Sequence, residues 1–537
     1  MMRWAYGANA PLVMRVKHAG LVIAFIVFSG CADAPLPTAP SSEPAADLLG
    51  TSGGPILNRY VILFRDDIGD PDALAGSLVA AHGGRIGHVY EFALKGFSVA
   101  NLPAPAVEAL RRNHLVRSVS VDQQLRLAAV QTLPLTGTSY QTSILWALDR
   151  VDERAAVFDG RYEYAHCGAG THIYIVDTGI HGGHVEWGYG RIGESVSKIS
   201  FSWGASPTID QNGHGTGVAG AAAGATYGIA KCATLHSVRV GTGTGSWWNS
   251  PCNGMCESDV IAGIDWVAGH HVKPAVMNVS IEGSCPIRNA LEGAVTRGVI
   301  TMKSAGNDGV PASEDCGNRA KGAFVVGAMD RFHRRSIFSS GGSNYGSTVA
   351  LFAPGSDIWS ADKDSDTDAK PWWGTSFAAP YTAGVAALFL EQEPTAPTWR
   401  INDLLKRSAT SGALVSSTLP TGSPNRLLFS RAVAAEYPPP PTYPMAPEIT
   451  GPDFVRPHSA FCLYTTTTGS AAQPFTYAWY MDGVLQSETS QFFRPSVGTT
   501  SFQIEVHILD GDGSSWWNYY YVSVGSGAPE CGGEMET

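Results

Sequence analysis

Asp177, His214 and Ser376 are the side-chain types from which nucleophilic catalysis is assembled. The hydroxyl attacks, the imidazole takes its proton, and the carboxylate holds the imidazole in one tautomer. Ser376 lies in Gly374-Thr375-Ser376-Phe377-Ala378-Ala379-Pro380, just ahead of an apolar run from Phe377 to Leu390. That run predicts a buried helix, with Pro380 tolerated in its first turn. Ser376 is then expected at a helix N-terminus, where free N–H groups and the positive dipole end stabilise an oxyanion. Asp177 closes the apolar run of Ile175-Val176-Asp177-Thr178-Gly179. His214 opens a small-residue helix in Asn212-Gly213-His214-Gly215-Thr216-Gly217-Val218-Ala219-Gly220. A strand-end Asp, a helix-start His and a capping Ser are each commonplace, and only their order and company raise them above that.

The elements that must carry these residues alternate. Residues 145–435 read as strand (His172 to Val176), helix (Gly213 to Ala223), helix (Ser258 to Val267), strand (Val276 to Ser280), helix (Arg288 to Arg297), strand (Val299 to Ser304), strand (Ala323 to Gly327) and the Ser376 helix. Apolar strands between helices imply an α/β fold, a parallel sheet with helices on both faces. Its site belongs beyond the carboxyl ends of the strands, where Asp177 and the Ser304-Ala305-Gly306-Asn307 turn fall. Residues 57–127 read as βαββαβ, a ferredoxin-like α+β unit, and 128–144 as an exposed, cleavable connector. Residues 436–447 are proline-dense, a stiff spacer, and 448–537 alternate like the strands of a small β-sandwich of immunoglobulin-like or PKD-like kind.

With 537 residues, of which 44% are hydrophobic and 15% charged, the chain has material for several domains and a large core. Its net charge of -11 gives no support for nucleic-acid binding. Arg15, Lys17 and His18 precede an apolar run, Leu21 to Phe28, too short to span a membrane, so residues 1–31 read as an export signal, with Met14 an alternative start. Phe28-Ser29-Gly30-Cys31 resembles a bacterial lipoprotein cleavage box, which makes Cys31 a candidate lipid anchor ahead of a Pro/Ser/Ala-rich tether at 32–56. Without Cys31 the cysteines are an even set: Cys167, Cys232, Cys252, Cys256, Cys285, Cys316, Cys462 and Cys531. In an exported chain that favours disulfides over half a metal site at Cys252 and Cys256.

Together, Asp177-Thr178-Gly179, Asn212-Gly213-His214-Gly215-Thr216, Ala305-Gly306-Asn307 and Gly374 to Pro380 resemble the subtilisin-like serine proteases, or subtilases. Trp146-Ala147-Leu148-Asp149-Arg150-Val151-Asp152 is similar to the mature N-terminal region of the proteinase-K-like branch. Residues 57–127 are similar to that family's inhibitory propeptide, through Leu94-Lys95-Gly96-Phe97 and Val119-Ser120-Val121-Asp122-Gln123. The resemblance implies a secreted serine endopeptidase made as an autoprocessed precursor, acting on protein or peptide substrates, with its own propeptide as inhibitor. It implies Ser376 as nucleophile, His214 as base, Asp177 as its orienting partner and Asn307 as oxyanion donor. Substrate strands would dock along Ser246 to Asn249 and Ser280-Ile281-Glu282-Gly283, with Ser304, Ala305 and Gly306 opposite. No cofactor is required. A structural calcium is an open expectation, but Ala350 stands where relatives place an Asp ligand.

Other departures from the family pattern are Glu282 in place of Gly, Lys303 in a buried strand, and Gly217 in place of the second His of His-Gly-Thr-His. Glu282 either edges the specificity pocket, favouring basic or polar side chains, or is a solvated carboxylate. Cys285 and Cys316 stand at a separation similar to a disulfide of this branch, and Cys167–Cys232, Cys252–Cys256 and Cys462–Cys531 form one of the pairings open to the other six. The rival reading is a catalytically silent binding protein on a protease fold, with the C-terminal domain, a candidate for matrix or protein binding, as the working part. Trp516-Trp517 in that domain is either a carbohydrate platform or core packing.

Overall fold

The computed structural model describes residues 54–125, 146–156, 158–188, 190–200, 206–242, 254–432 and 434–436, with eight strands between 448 and 524. The expected export signal, most of the tether, the connector, Ser246 to Asn249, Cys252, the proline-dense spacer and the Cys462–Cys531 pair lie outside the described residues.

The first unit comprises β1 (Pro55–Phe64), α1 (Pro71–His82), β2 (Arg85–Tyr90), β3 (Gly96–Ala100), α2 (Ala104–Arg111) and β4 (Val116–Gln123). Its sheet runs β2-β3-β1-β4, antiparallel throughout, the strand order of the ferredoxin-like arrangement. Helix α1 starts at Pro71 because Asp70 accepts the Ala73 N–H, and Pro71 has no N–H to leave unpaired.

The second unit comprises α3 (Trp146–Val151), β5 (His172–Asp177), β6 (Val196–Ser197), α4 (His214–Ala223), β7 (Thr234–Arg239), α5 (Glu257–His270), β8 (Ala275–Val279), α6 (Cys285–Thr296), β9 (Ile300–Ser304), β10 (Phe324–Met329), β11 (Leu351–Pro354), β12 (Ile358–Ala361), β13 (Ala369–Trp372), α7 (Thr375–Gln392), α8 (Thr398–Ser408), β14 (Thr410–Ser411) and β15 (Arg426–Leu427). Nine strands form one sheet, β14-β15-β11-β10-β9-β8-β5-β7-β6, parallel except at the β14–β15 edge. This is an α/β fold with helices on both faces. The two-residue period of β5 divides the core: Ile173 and Ile175 join α4 and α7, while Tyr174 and Val176 join α5 and α6. Each such fully buried aliphatic side chain stabilises the fold by about 1.5–3 kcal/mol.

Several elements escape a reading by periodicity. Strand β7 carries His236, Ser237 and Arg239, which hide a buried strand behind polar letters. The β12–β13 hairpin is a small sheet of its own, α8 follows α7, and α3 is a single short helix. One expectation is corrected. Helix α7 begins at Thr375, so Pro380 lies inside the helix rather than in its first turn. It survives there because the carbonyl it orphans, that of Ser376, accepts a 2.9 Å hydrogen bond from Ser280 Oγ.

C-terminal strands β16 (Glu448–Thr450), β17 (Phe454–Val455), β18 (Leu463–Thr466), β19 (Thr476–Met481), β20 (Val484–Leu485), β21 (Phe492–Phe493), β22 (Phe502–Leu509) and β23 (Ser515–Val524) form two sheets, β16-β18-β21 and β17-β23-β22-β19-β20. Trp516 and Trp517 lie on β23.

Candidate active site

Asp177 is the last residue of β5, and His214 the first of α4. Their approach depends on Gly215: a Cβ there would lie 2.1 Å from the Gly179 carbonyl and 3.2 Å from Asp177 Cβ. With glycine the two elements close, and His214 Nδ1 stands 2.8 Å from Asp177 Oδ1, both side chains fully buried. The same carboxylate oxygen accepts the Thr178 N–H at 2.7 Å. Because Nδ1 faces an acceptor, it carries the ring proton in the neutral imidazole, leaving Nε2 as the acceptor. His214 Nε2 is buried and meets no hydrogen-bond partner among the described residues.

Asp210 builds the loop that delivers His214, a role missed in the sequence. Its Oδ1 accepts from Thr178 Oγ1 and the N–H groups of Asn212 and Gly213; its Oδ2 accepts from the Thr216 N–H and hydroxyl. The available signal was an acidic residue four positions ahead of a helix start.

Ser376 is the second residue of α7, buried at 0% exposure. Its Oγ donates to the Ser280 carbonyl at 3.3 Å, while Ser280 Oγ, held by Asn278 Nδ2 at 2.9 Å, donates back to the Ser376 carbonyl. The serine is thus clipped to the segment after β8, and the structure gives it no hydrogen bond to His214. Its chain neighbours bracket the rest of the site. Phe377 packs edge-on to the His214 ring at 5.7 Å, and Thr375 donates its N–H and hydroxyl to Asn307 Oδ1 at 2.9 and 3.0 Å. Two donors on Oδ1 fix the orientation of the Asn307 amide, so Nδ2 points the other way. That Nδ2 is buried and meets no hydrogen-bond partner among the described residues. The Asn307 loop is anchored by Asn344, whose Oδ1 accepts from the Asp308 and Val310 N–H groups.

Ser280, Ile281, Glu282 and Gly283 follow β8, and Ser304, Ala305 and Gly306 end and follow the neighbouring β9. Glu282 is half-buried. Lys303 is fully buried, facing α6, and its Nζ donates to the Ser304 carbonyl at 2.9 Å and approaches Asp315 Oδ2 at 3.4 Å. Asp315 in turn accepts the Gly283 N–H at 2.9 Å. A lysine is tolerated in this strand because a carboxylate from the next segment meets it. The disulfides Cys285–Cys316 and Cys167–Cys232 are both formed. The Ala350 side chain offers no oxygen to a cation.

The first unit seats on α5. Arg59 pairs with Asp122 at 3.0 Å, and Asp122 accepts from the N–H and hydroxyl of Ser258. His88 Nε2 lies 2.9 Å from Asp259, and Asp265 accepts the N–H groups of Glu91, Phe92 and Ala93. Beyond β4, the Leu125 N–H donates to the Met255 carbonyl, and Gln124 bridges Cys256 in the antiparallel sense. Burial pushes Glu257 up to about 8, opposed by the Ser284 hydroxyl and reinforced by the Asp122 charge. Asp122 and Asp265 are also raised by burial, against the pull of Arg59 and of the backbone donors respectively.

Comparison with known proteins bears on this arrangement. Residues 168–428 match the peptidase S8, or subtilase, family. An extracellular serine proteinase of Thermus sp. (strain Rt41A) is 37% identical over 441 residues, 77% of this chain and 100% of that protein. The chain belongs to the subtilase family. It is a subtilisin-like serine endopeptidase. The alkaline serine exoprotease A of Vibrio alginolyticus is 34% identical to this subtilase over 413 residues, 74% of this chain and 72% of that protein. The crystal structure of a cold-adapted subtilisin-like serine proteinase is 38% identical, covers 54% of this chain and 98% of its own, and has a TM-score of 0.47.

Proposed function

We propose that this subtilase is a secreted endopeptidase of the proteinase-K-like branch that cleaves peptide bonds through Asp177, His214 and Ser376. Ser376 Oγ turns about χ1 from the Ser280 carbonyl to His214 Nε2, gives up its proton there and attacks the scissile carbonyl. His214 then returns the proton to the leaving amine, while Asp177 stabilises the imidazolium. Asn307 Nδ2 and the Ser376 backbone N–H receive the oxyanion. The observation that carries this reading is a pair of buried nitrogens, His214 Nε2 and Asn307 Nδ2, unpartnered among the described residues, on side chains that contact Phe377 and Thr375, the chain neighbours of the serine. One is the acceptor and the other the donor that acyl transfer requires. The chemistry draws on no cofactor.

The substrate strand runs along Ser280 to Gly283, opposite Ser304 to Gly306, with the specificity pocket between them. Residues 57–127 act as the inhibitory propeptide. This is supported by their seat on α5 and by the Leu125 N–H pairing with the Met255 carbonyl. It is supported too by the full burial of Ser376 and His214 in the intact chain. Self-cleavage in 128–144 frees the mature enzyme, and Cys31, if lipidated, stays with the propeptide. The C-terminal strands serve matrix or protein binding.

The test is Ser376→Ala in the full-length chain. It should accumulate uncut, fail to hydrolyse casein and fail to react with a fluorophosphonate, whereas the parent processes itself, hydrolyses casein and is labelled. A Ser376→Ala chain that still processes itself ends this reading.

A further inference from the structure

Gly217 lies three residues after His214 on α4, so the two share one face of the helix. The space a side chain at 217 would occupy is already taken. A Cβ on Gly217 would lie 2.7 Å from Cε2 of Trp372 and 3.0 Å from its Cζ2 and Nε1. Trp372 is the last residue of β13, four positions before Ser376, and is 1% exposed. Its indole meets the His214 imidazole edge to face, with centroids 6.5 Å apart and an interplanar angle of 85°. It also stacks on Phe377 at 5.1 Å and 25°, and Phe377 itself abuts His214 at 5.7 Å. Lys370 Nζ lies over the indole at 4.2 Å and is held by Asp362 Oδ2 at 2.9 Å. The indole N–H is buried and meets no acceptor among the described residues. Shape rather than a hydrogen bond therefore keeps tryptophan at this place.

We propose that Trp372 is a positioning residue for His214, and that Gly217 is glycine so that the indole can reach the imidazole. The Asp177 hydrogen bond holds one end of the ring but leaves it free to pivot about that bond. Trp372 and Phe377, at near-perpendicular angles to the imidazole, close the pivot and present Nε2 to the serine. Gly217, where the family pattern has a second histidine, thus leaves the volume that the Trp372 ring fills. This rests on reading His214 as the general base.

The test uses full-length chains that process themselves, with the mature enzyme counted by fluorophosphonate titration and kcat and KM measured on a peptide anilide. Gly217→Ala drives a methyl into the indole and should lower kcat about tenfold or more, since displacements near 1 Å in a catalytic group cost up to about a hundredfold, with KM within about twofold. Trp372→Leu, which removes the aromatic wall, should do the same. In Gly217→Ala/Trp372→Phe the smaller ring makes room for the methyl, so most of the lost kcat should return, a coupling that independent effects do not produce. Should Gly217→Ala alone fail to accumulate, Trp372→Leu carries the same measurement. The inference is overturned if kcat is unchanged in the single variants, if the loss falls on KM, or if the double variant only multiplies the single losses. Activity surviving in Ser376→Ala would instead remove the catalytic assignment, whatever the Trp372 variants do.

Discussion

Glu257 is the group whose titration the fold exposes most clearly. It opens α5 with its side chain 1% exposed, accepts the Ser284 hydroxyl at 2.8 Å, and has its second oxygen buried without a partner. Next to it, Ser258 binds Asp122 of the first unit through both its N–H and its hydroxyl. Burial, with the Asp122 charge behind it, raises Glu257 from its ordinary 4.5 to about 8 in the assembled chain. A folded value above the unfolded one means the folded chain holds a proton that the unfolded chain has released. Stability from this group is therefore whole below about pH 4.5 and is lost as the pH climbs through 8. Between pH 6 and pH 9 the loss comes to about 3 kcal/mol, at about 1.4 kcal/mol for each pH unit over which only the folded chain is protonated. Glu257→Gln keeps the acceptor for Ser284 and has nothing to ionise. The assay is guanidinium unfolding of the uncut Ser376→Ala chain at the two pH values, followed by tryptophan fluorescence, with and without Glu257→Gln. The parent should lose about 3 kcal/mol more than the Gln variant on going to pH 9. Equal losses in the two chains would refute the reasoning, and would mean that Glu257 is already charged in the folded state.

Asn307→Ala should lower kcat by about 100- to 1,000-fold with little change in KM, because the amide acts on the oxyanion and not on the bound peptide. Ser280→Ala takes the donor from the carbonyl that Pro380 orphans. It should cost about 1–3 kcal/mol in thermal unfolding, and a melt like the parent's would mean α7 satisfies that carbonyl in another way. Replacing both Cys285 and Cys316 by Ser opens a loop with a sequence separation of 31 and should cost about 3–4 kcal/mol on the chain-entropy account, read in the same unfolding assay. Glu282→Gly should move the preference among Arg-, Ala- and Phe-containing peptides away from Arg. An unchanged ranking makes Glu282 a surface carboxylate with no part in selection.

Much of the architecture was legible because its signals are local. An apolar run with helical or two-residue period names its element wherever it stands, which is why β2, β3, β22 and the core of α7 could be read to within a few residues. The site was legible for a related reason. Asp177, His214, Asn307 and Ser376 sit in short glycine-bearing stretches, and backbones that pass within 2.1 Å of where a Cβ would be admit nothing larger.

What stayed hidden depends on residues far apart in the chain. Polar β7 is a strand because β5 and β6 pair with it on either side. Pro380 could be placed inside α7 only once Ser280, nearly a hundred residues earlier, was seen to donate to the carbonyl it strands. Lys303 looked out of place until Asp315 appeared beside it, and Gly217 looked like a loss until Trp372 was found in its space. The sequence by itself determined which groups could do acyl transfer and on which kinds of element they ride. Only the tertiary structure decided which buried polar atoms are matched, since a hydrogen bond or a filled volume is a property of two segments and is written in neither alone.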